Sequence, residues 1–353
     1  MKKMNLNSRR NFLKKTSLIT TSSLIIPKMS FGIIDKHREE NDFIGHGDFK
    51  YKLDKKWGIQ NPNEFPVDHC HEMVMDKKNR IIMTTTHPKN NILIYNKSGK
   101  IENSWSINYN GAHGLNIVDE GGEEFLFITD PDNHKVCKTT LSGKKILEFN
   151  YPKEIKDYLS FEQFKPTETC ISPNGDVFIA DGYGKDFIIK YDSKGNYLTH
   201  FGGHGDGDDK FDCCHGITLD QRDSKNPTLL ITSRSKNEFK RFSLEGKHID
   251  TISLPGCWIC RPVIKNENLF FAVIITNDWS KYDGMLAILD KNNKVVSLPG
   301  GSMPEYVKGK LLPPISDKKS FFNPHDICID NDENLYIPQW NSEKSYPIKL
   351  IRI

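Results

Sequence analysis

From residue 69 onward the chain alternates short apolar runs with clusters of turn residues, at a regular spacing. One copy shows the order clearly. Cys170-Ile171-Ser172 leads into the turn Pro173-Asn174-Gly175. Asp176-Val177-Phe178-Ile179-Ala180-Asp181 then reads as a strand, and Gly182-Tyr183-Gly184-Lys185 turns the chain. Phe187-Ile188-Ile189-Lys190-Tyr191 is a third strand, Asp192-Ser193-Lys194-Gly195 a turn, and Asn196 to Phe201 a fourth strand. Apolar runs bounded by Gly, Asn and Asp mark strands joined by tight turns. The same grammar recurs at about 69–106, 113–150, 215–254, 257–299 (the most divergent) and from 325.

Four-stranded units repeating every roughly 40 to 50 residues predict a β-propeller. The expected fold is therefore all-β: a six-bladed β-propeller of four-stranded antiparallel blades over residues 48–353. The sixth copy is short of an outer strand after Tyr346 to Ile353. The segment Phe49 to Trp57 has strand character and is predicted to supply it. Such closure removes two open sheet edges. Inserts at about 151–165 and 300–321 are expected as loops or short helices over one face, and residues 31–47 as a mobile segment.

Three phrases put a histidine just ahead of an apolar strand: His113-Gly114-Leu115, His215-Gly216-Ile217 and His325-Asp326-Ile327. They fall in blades two, four and six. The first strand of a blade lines the central channel, and alternate blades of six lie about 120° apart. The three imidazoles are thus predicted to converge on the axis and to hold one divalent metal ion. Zinc suits three neutral imidazoles with an open fourth position, and iron or copper can use the same donors. His71, in blade one, shares the phase as a possible additional ligand. Blade three has Thr169 there, and blade five a residue near Cys260. His69, His87, His134, His200 and His204 fall in loops, with surface or anchoring roles expected.

Composition changes the picture mainly at the N-terminus. Ser8-Arg9-Arg10-Asn11-Phe12-Leu13-Lys14 matches the twin-arginine export pattern, and residues 1–30 read as a signal peptide. This predicts an exported protein, periplasmic or extracellular, that meets the twin-arginine translocase on its way out. These 30 residues hold seven basic and no acidic side chains, so their removal takes the formal charge from +3 to −4. The basic balance is therefore not a nucleic-acid footprint, and no nucleic-acid partner is expected. Eight cysteines in an oxidising compartment predict one or two disulfides. A closed ring protects its own edges, so a monomer is expected.

On these residues the chain resembles the NHL-repeat six-bladed propellers, and within them the peptidyl-α-hydroxyglycine α-amidating lyase domain. The likeness covers about residues 48–353, including Gly202 to Phe211, which resembles the loop linking NHL blades. It implies zinc on His113, His215 and His325, with Tyr183 as the catalytic group beside the metal. Arg234 would face the carboxylate of a small-molecule or peptide-like substrate, and Asp326 would help hold a structural calcium with blade carbonyls. The implied reaction cleaves the N–C bond of an α-hydroxyglycine, releasing an amide and glyoxylate. Two departures stand out. Thr86-His87-Pro88-Lys89 lacks the family's first-blade arginine, and Gly184 replaces a disulfide cysteine. Nothing resembles the copper monooxygenase partner domain. Two other readings fit the same repeats: a non-catalytic NHL module that binds peptide or glycan, and a lactonase-like hydrolase. The second usually holds its ion through Glu, Asn and Asp.

Overall fold

The computed structural model describes residues 43–276 and 278–353. The leader and most of the segment 31–47 lie outside these residues. The described chain is a ring of six antiparallel sheets. Blade three is built from Glu168–Ile171, Val177–Ala180, Phe187–Tyr191 and Tyr197–Gly202. Blades one, two, four and five span 70–105, 115–149, 217–253 and 258–297. The strand order runs from the channel outward in each. Side-chain chemistry fixes the turns: Asp192 Oδ1 accepts from the N–H groups of Lys194 and Asn196, and Gly195 takes φ +86°. A side chain at that φ would be strained, which is why glycine stands there.

Blade six combines both ends of the described chain. Cys328–Ile329, Leu335–Ile337 and Ile348–Arg352 are joined by Phe49–Asp54, with Tyr51 opposite Arg352 and Leu53 opposite Leu350. The predicted closing strand is therefore present. Residues 44–46, expected to be mobile, instead form a fifth strand on it. They are ordered because His46 N–H donates to Ser297 Oγ of blade five at 2.8 Å. The insert 151–165 carries one turn of 3-10 helix, Phe161–Gln163. The insert 300–321 carries a small hairpin, Tyr306–Val307 with Lys310–Leu311, rather than a helix.

The core is six apolar layers, one between each pair of neighbouring blades. Inner strands bury both faces. Ile92–Tyr95 is buried throughout, while the outer strand Tyr197–Gly202 is mostly half-exposed. This explains why the second and third strands read as continuous apolar runs rather than as alternation. The layers also separate two cysteines that are close in sequence. Cys257 lies in the layer between blades four and five, and Cys260 in that between five and six. All eight cysteines are unpaired, so the expected disulfides are not formed.

Tyr51 tests the closure. It is fully buried between blades five and six, and its hydroxyl has no partner. Tyr51→Ala should cost about 3–5 kcal/mol, lowering the melting temperature by roughly 6–20 °C for a domain of this size. Tyr51→Phe, which deletes only an unsatisfied hydroxyl, should melt at or above the wild-type temperature. Equal melting of Tyr51→Ala and wild type by calorimetry would show that the closing strand does not hold the ring.

Candidate metal centre

The strand registers define two tiers of residues around the channel mouth. Leu115 pairs with Ile128, Thr169 with Ile179, Ile217 with Ile231 and Met73 with Met83. These registers make His71, His113, Thr167 and His215 equivalent. Cys260 and His325 complete the first tier, each donating its N–H to the second strand of its own blade as His113 and Thr167 do. The blade-three position is thus Thr167, not Thr169. Threonines of the second strands fix this tier from the side. Thr84 Oγ1 donates to His113 O at 3.1 Å, Thr129 Oγ1 to Thr167 O at 3.0 Å, and Thr232 Oγ1 to Cys260 O at 2.8 Å. Cys213, at φ +62°, turns the chain just before His215. Its carbonyl accepts from both His215 N and Arg234 N, which ties those two residues together.

All four first-tier histidines converge and are buried. Ring centroids are 4.4 Å apart for His71 and His113, 4.8 Å for His113 and His215, and 5.0 Å for His215 and His325. Nδ1 of His113 meets Thr167 O at 2.9 Å, and Nδ1 of His325 meets His71 O at 3.0 Å. A carbonyl only accepts, so each of these rings carries its proton on Nδ1 and turns a bare Nε2 lone pair to the axis. Nε2 of His113 lies 3.1 Å from Nε2 of His215. One ligand nitrogen from each of His71, His113 and His325 lies within 4.8 Å of the other two.

Protonation does not relieve this crowding. Burial, and then the neighbouring imidazoles, hold His71 and His325 well below the usual histidine range. His215 is also held well below it, by burial and then Arg234. Burial takes His113 down to about 3. Four neutral rings, two of them with lone pairs fixed toward the axis, fit a cation. An ion bound by nitrogens at 2.0–2.1 Å would set neighbouring ligands about 3.3 Å apart, close to the 3.1 Å between His113 and His215.

Tyr183 and Arg234 stand over this cluster, each just after the second strand of its blade. Tyr183 is 43% exposed as a residue, but its hydroxyl turns inward, 3.0 Å from His215 Nε2 and 3.2 Å from His113 Nε2. Burial of that hydroxyl raises its pKa, against the Arg234 charge, so it carries its proton. Arg234 is buried. Its Nε donates to Ile259 O at 3.0 Å, and one terminal nitrogen lies 3.3 Å from Cys260 Sγ. Its titratable neighbours are Cys260, Tyr183 and Cys213. Burial pushes the Cys260 thiol up to about 12 and that of Cys213 to about 11. Among the described residues, then, no anion faces this guanidinium.

The second tier, one residue further along each strand, is Glu72, Gly114, Glu168, Gly216, Arg261 and Asp326. It forms the floor. Arg261 reaches across the channel. Its Nε and one terminal nitrogen hold both Asp326 oxygens at 3.2 and 2.6 Å, and it donates to Leu115 O at 2.7 Å and Met73 O at 3.2 Å. Glu72 and Glu168 lie 3.3 and 3.6 Å from it. The two glycines make room. A Cβ on Gly216 would sit 2.6 Å from Arg261 Cα, and one on Gly114 2.4 Å from Thr167 O. Burial raises Glu72, Glu168 and Asp326, the last to about 7, while Arg261 opposes the rise. Three acids against one guanidinium leave Glu72 and Glu168 to share a proton.

The calcium expected at Asp326 does not fit this floor. Both carboxylate oxygens and two blade carbonyls are already taken by Arg261. Asp326, Glu72 and Glu168 are also the acids a lactonase-type oxygen site would draw on, and they are engaged in the same network. His87 stays away from the centre, its Nδ1 accepting from Lys89 N. Gly184 leaves no room for the family's cysteine, because a Cβ there would come within 2.2 Å of an Asp181 oxygen. Arg261, Glu72 and Glu168 were missed in the sequence. The signal was available: a charged residue follows the first-tier position in blades one, three, five and six.

No known family model matches the chain. A Caenorhabditis elegans protein named probable peptidyl-alpha-hydroxyglycine alpha-amidating lyase is 35% identical over 87 residues, 25% of this chain and 24% of that protein. The mouse NHL repeat-containing protein 3 is 24% identical over 179 residues, 48% of this chain and 51% of that protein. The chain therefore spans from about a quarter to about half the length of these relatives. Among solved structures, a Xanthomonas campestris gluconolactonase superposes with a TM-score of 0.59 at 10% identity, over 85% of this chain and 89% of that one. That likeness is one of fold. The chain is a six-bladed propeller with homologues among the amidating lyases and the NHL-repeat proteins.

Proposed function

We propose that this protein is an exported, metal-dependent lyase that cleaves the N–C bond of an α-hydroxyglycine-type carbinolamide and releases glyoxylate. One observation carries the reading. A buried, acid-free Arg234 stands beside four converging neutral histidines and a protonated Tyr183. A buried cation without a counter-charge is costly. Its anion is supplied by the substrate, and a carboxylate matches the guanidinium's planar donors. The partial identity to amidating lyases supports the same substrate class.

The first-tier histidines would hold one divalent ion, zinc best matching the donors. When bound, it polarises a ligand oxygen and lowers the pKa of a bound hydroxyl. The chain's own residues do the rest. Arg234 binds the carboxylate and fixes the α-carbon over the cluster. Tyr183 moves the proton. The substrate hydroxyl loses its proton, and its oxygen forms the aldehyde double bond of glyoxylate. The C–N electron pair leaves on the amide nitrogen, which takes up a proton from the Tyr183 hydroxyl. That phenol is then restored by the proton from the hydroxyl, so the step is balanced within the site. The buried floor closes the channel beneath the reacting atoms. In this reading the twin-arginine translocase delivers a monomer to the periplasm or the exterior.

The assay is glyoxylate release from an N-acyl-α-hydroxyglycine by zinc-loaded protein. Tyr183→Phe should lower kcat by about 10²–10⁴ while leaving the zinc content at the wild-type value. A zinc-loaded wild type that forms no glyoxylate defeats the lyase reading and leaves a binding module. A Tyr183→Phe variant at full rate removes the phenol from the chemistry.

A further inference from the structure

The loop after the second strand of each blade opens on the same face as the histidines. In blade three this loop supplies Tyr183 and in blade four it follows Arg234. The equivalent loops of blades five and six supply Trp279 and Trp340. Their rings are 5.4 Å apart and edge-to-face. Trp279 also meets Trp258 at 5.4 Å, and Trp340 meets His69 at 5.5 Å. His69 in turn lies 6.4 Å from His71. An aromatic wall thus runs unbroken from the metal centre out to the rim. Its outer end is open: Trp279 is 44% exposed, as are Tyr282 and Phe322 to similar degrees, these two 6.1 Å apart.

The tryptophans divide by their hydrogen bonding. Trp57 and Trp105 each donate the indole N–H to a carbonyl, Lys97 O and Leu141 O, at 3.0 Å. Among the described residues nothing accepts from Trp258, Trp279 or Trp340. Tryptophan in a packed role normally finds such a partner. Three that lack one, side by side at the mouth, offer flat apolar faces and spare donors to a ligand. The rim of blades one and two is polar by contrast, with Lys89, Asp132 and Asn133 at its loops.

We infer that this wall is the subsite for the acyl side of the substrate, selecting an aromatic or large apolar side chain next to the bond that is cut. The inference rests on the lyase reading above. With the carboxylate on Arg234, whose guanidinium lies against Ile259 and Cys260 of blade five, and the α-carbon at the histidines, the amide end rises toward the open mouth, because the floor closes the channel below. The wall on blades five and six receives it, and the spare indole N–H groups meet its carbonyls. The occupant is a peptide amide precursor with an aromatic or bulky apolar residue, not a glycan. A glycan would use the same faces but has no carboxylate for Arg234 at the required end.

Two measurements separate this inference from the lyase reading. The first compares glyoxylate release from N-acetyl-phenylalanyl-α-hydroxyglycine and N-acetyl-alanyl-α-hydroxyglycine by zinc-loaded protein. Wild type should favour the phenylalanyl compound by about tenfold or more in kcat/KM. Trp279→Ala should collapse that ratio toward one through KM, and Trp279→Phe should restore most of it. The second needs no turnover. N-acetyl-phenylalaninamide, the product amide, should quench tryptophan fluorescence saturably in wild type and not in Trp279→Ala, while N-acetyl-alaninamide and a cello-oligosaccharide should not quench. Quenching without any glyoxylate keeps the wall and sinks the lyase. Glyoxylate release with equal rates for both substrates, unchanged in Trp279→Ala, sinks the wall and keeps the lyase.

Discussion

Arg261→Ala should turn a propeller indifferent to calcium into a less stable one that calcium stabilises. Wild-type Arg261 is paired with all three buried acids of the floor and occupies the carbonyls of Met73 and Leu115. Removing one partner of a buried ion pair costs about 3–5 kcal/mol, because the remaining charge is left uncompensated. At this chain length that is a fall of roughly 6–20 °C in melting temperature. The vacated space is lined by carboxylate and carbonyl oxygens, which are the donors of a hard cation. Calcium at about a hundred times its dissociation constant should then return about 2.7 kcal/mol. Arg261→Lys keeps the charge but loses the fork that spans Asp326 and the two carbonyls, so it should fall between the two.

The measurement is a melting curve of zinc-loaded protein, with and without added calcium chloride. The variant should gain several degrees and the wild type none. If wild type gains as much as Arg261→Ala, calcium binds somewhere other than the floor. If Arg261→Ala melts like wild type without calcium, the guanidinium is not what holds the tier together.

Much of this molecule was legible because a propeller repeats itself. The phrases at His113, His215 and His325 carry the blade phase in plain form, and the strand from Phe49 could be assigned because blade six was one strand short. Tyr183 and Arg234 also came from their place after a second strand. What failed did so for local reasons. In blade three, Thr167-Glu168-Thr169 offers a threonine at two alternate positions, and reading the phase from Thr169 hid Glu168. With the phase two residues earlier, Glu72, Glu168, Arg261 and Asp326 fall on one tier, and the charge pairing is visible without coordinates. The disulfides failed because composition reports compartment and not placement: Cys257 and Cys260 fall in different layers, while Cys70 with Cys328 and Cys170 with Cys214 share a layer without bonding. The wall of Trp258, Trp279 and Trp340 could not be read, since its members are brought together only by ring closure against His69.

The largest loss of function should follow from His113→Ala. The alternate-blade argument selects His113, His215 and His325. The structure brings one nitrogen from each of His71, His113 and His325 within 4.8 Å and also puts His215 Nε2 at 3.1 Å from His113 Nε2. His113 and His325 belong to both trios, while His71 and His215 are where they differ. Zinc stoichiometry of the four single alanine variants therefore reads out the ligand set. Changing an outer partner of a metal ligand typically costs 10–100-fold in affinity, so losing a ligand itself should cost at least about a hundredfold. His113→Ala and His325→Ala should thus purify without zinc and release no glyoxylate. With three ligands, one of His71→Ala and His215→Ala should lose the metal and the other keep it; with four, both should bind weakly. The metal-free melts add an independent check. Without an ion, His215 can turn an Nε2–H onto the His113 Nε2 lone pair at 3.1 Å, so metal-free His113→Ala loses that bond with its packing and should melt below metal-free wild type. The further increment that zinc adds should disappear as well. One equivalent of zinc retained by all four variants would place the metal elsewhere, and would make these histidines a packed core.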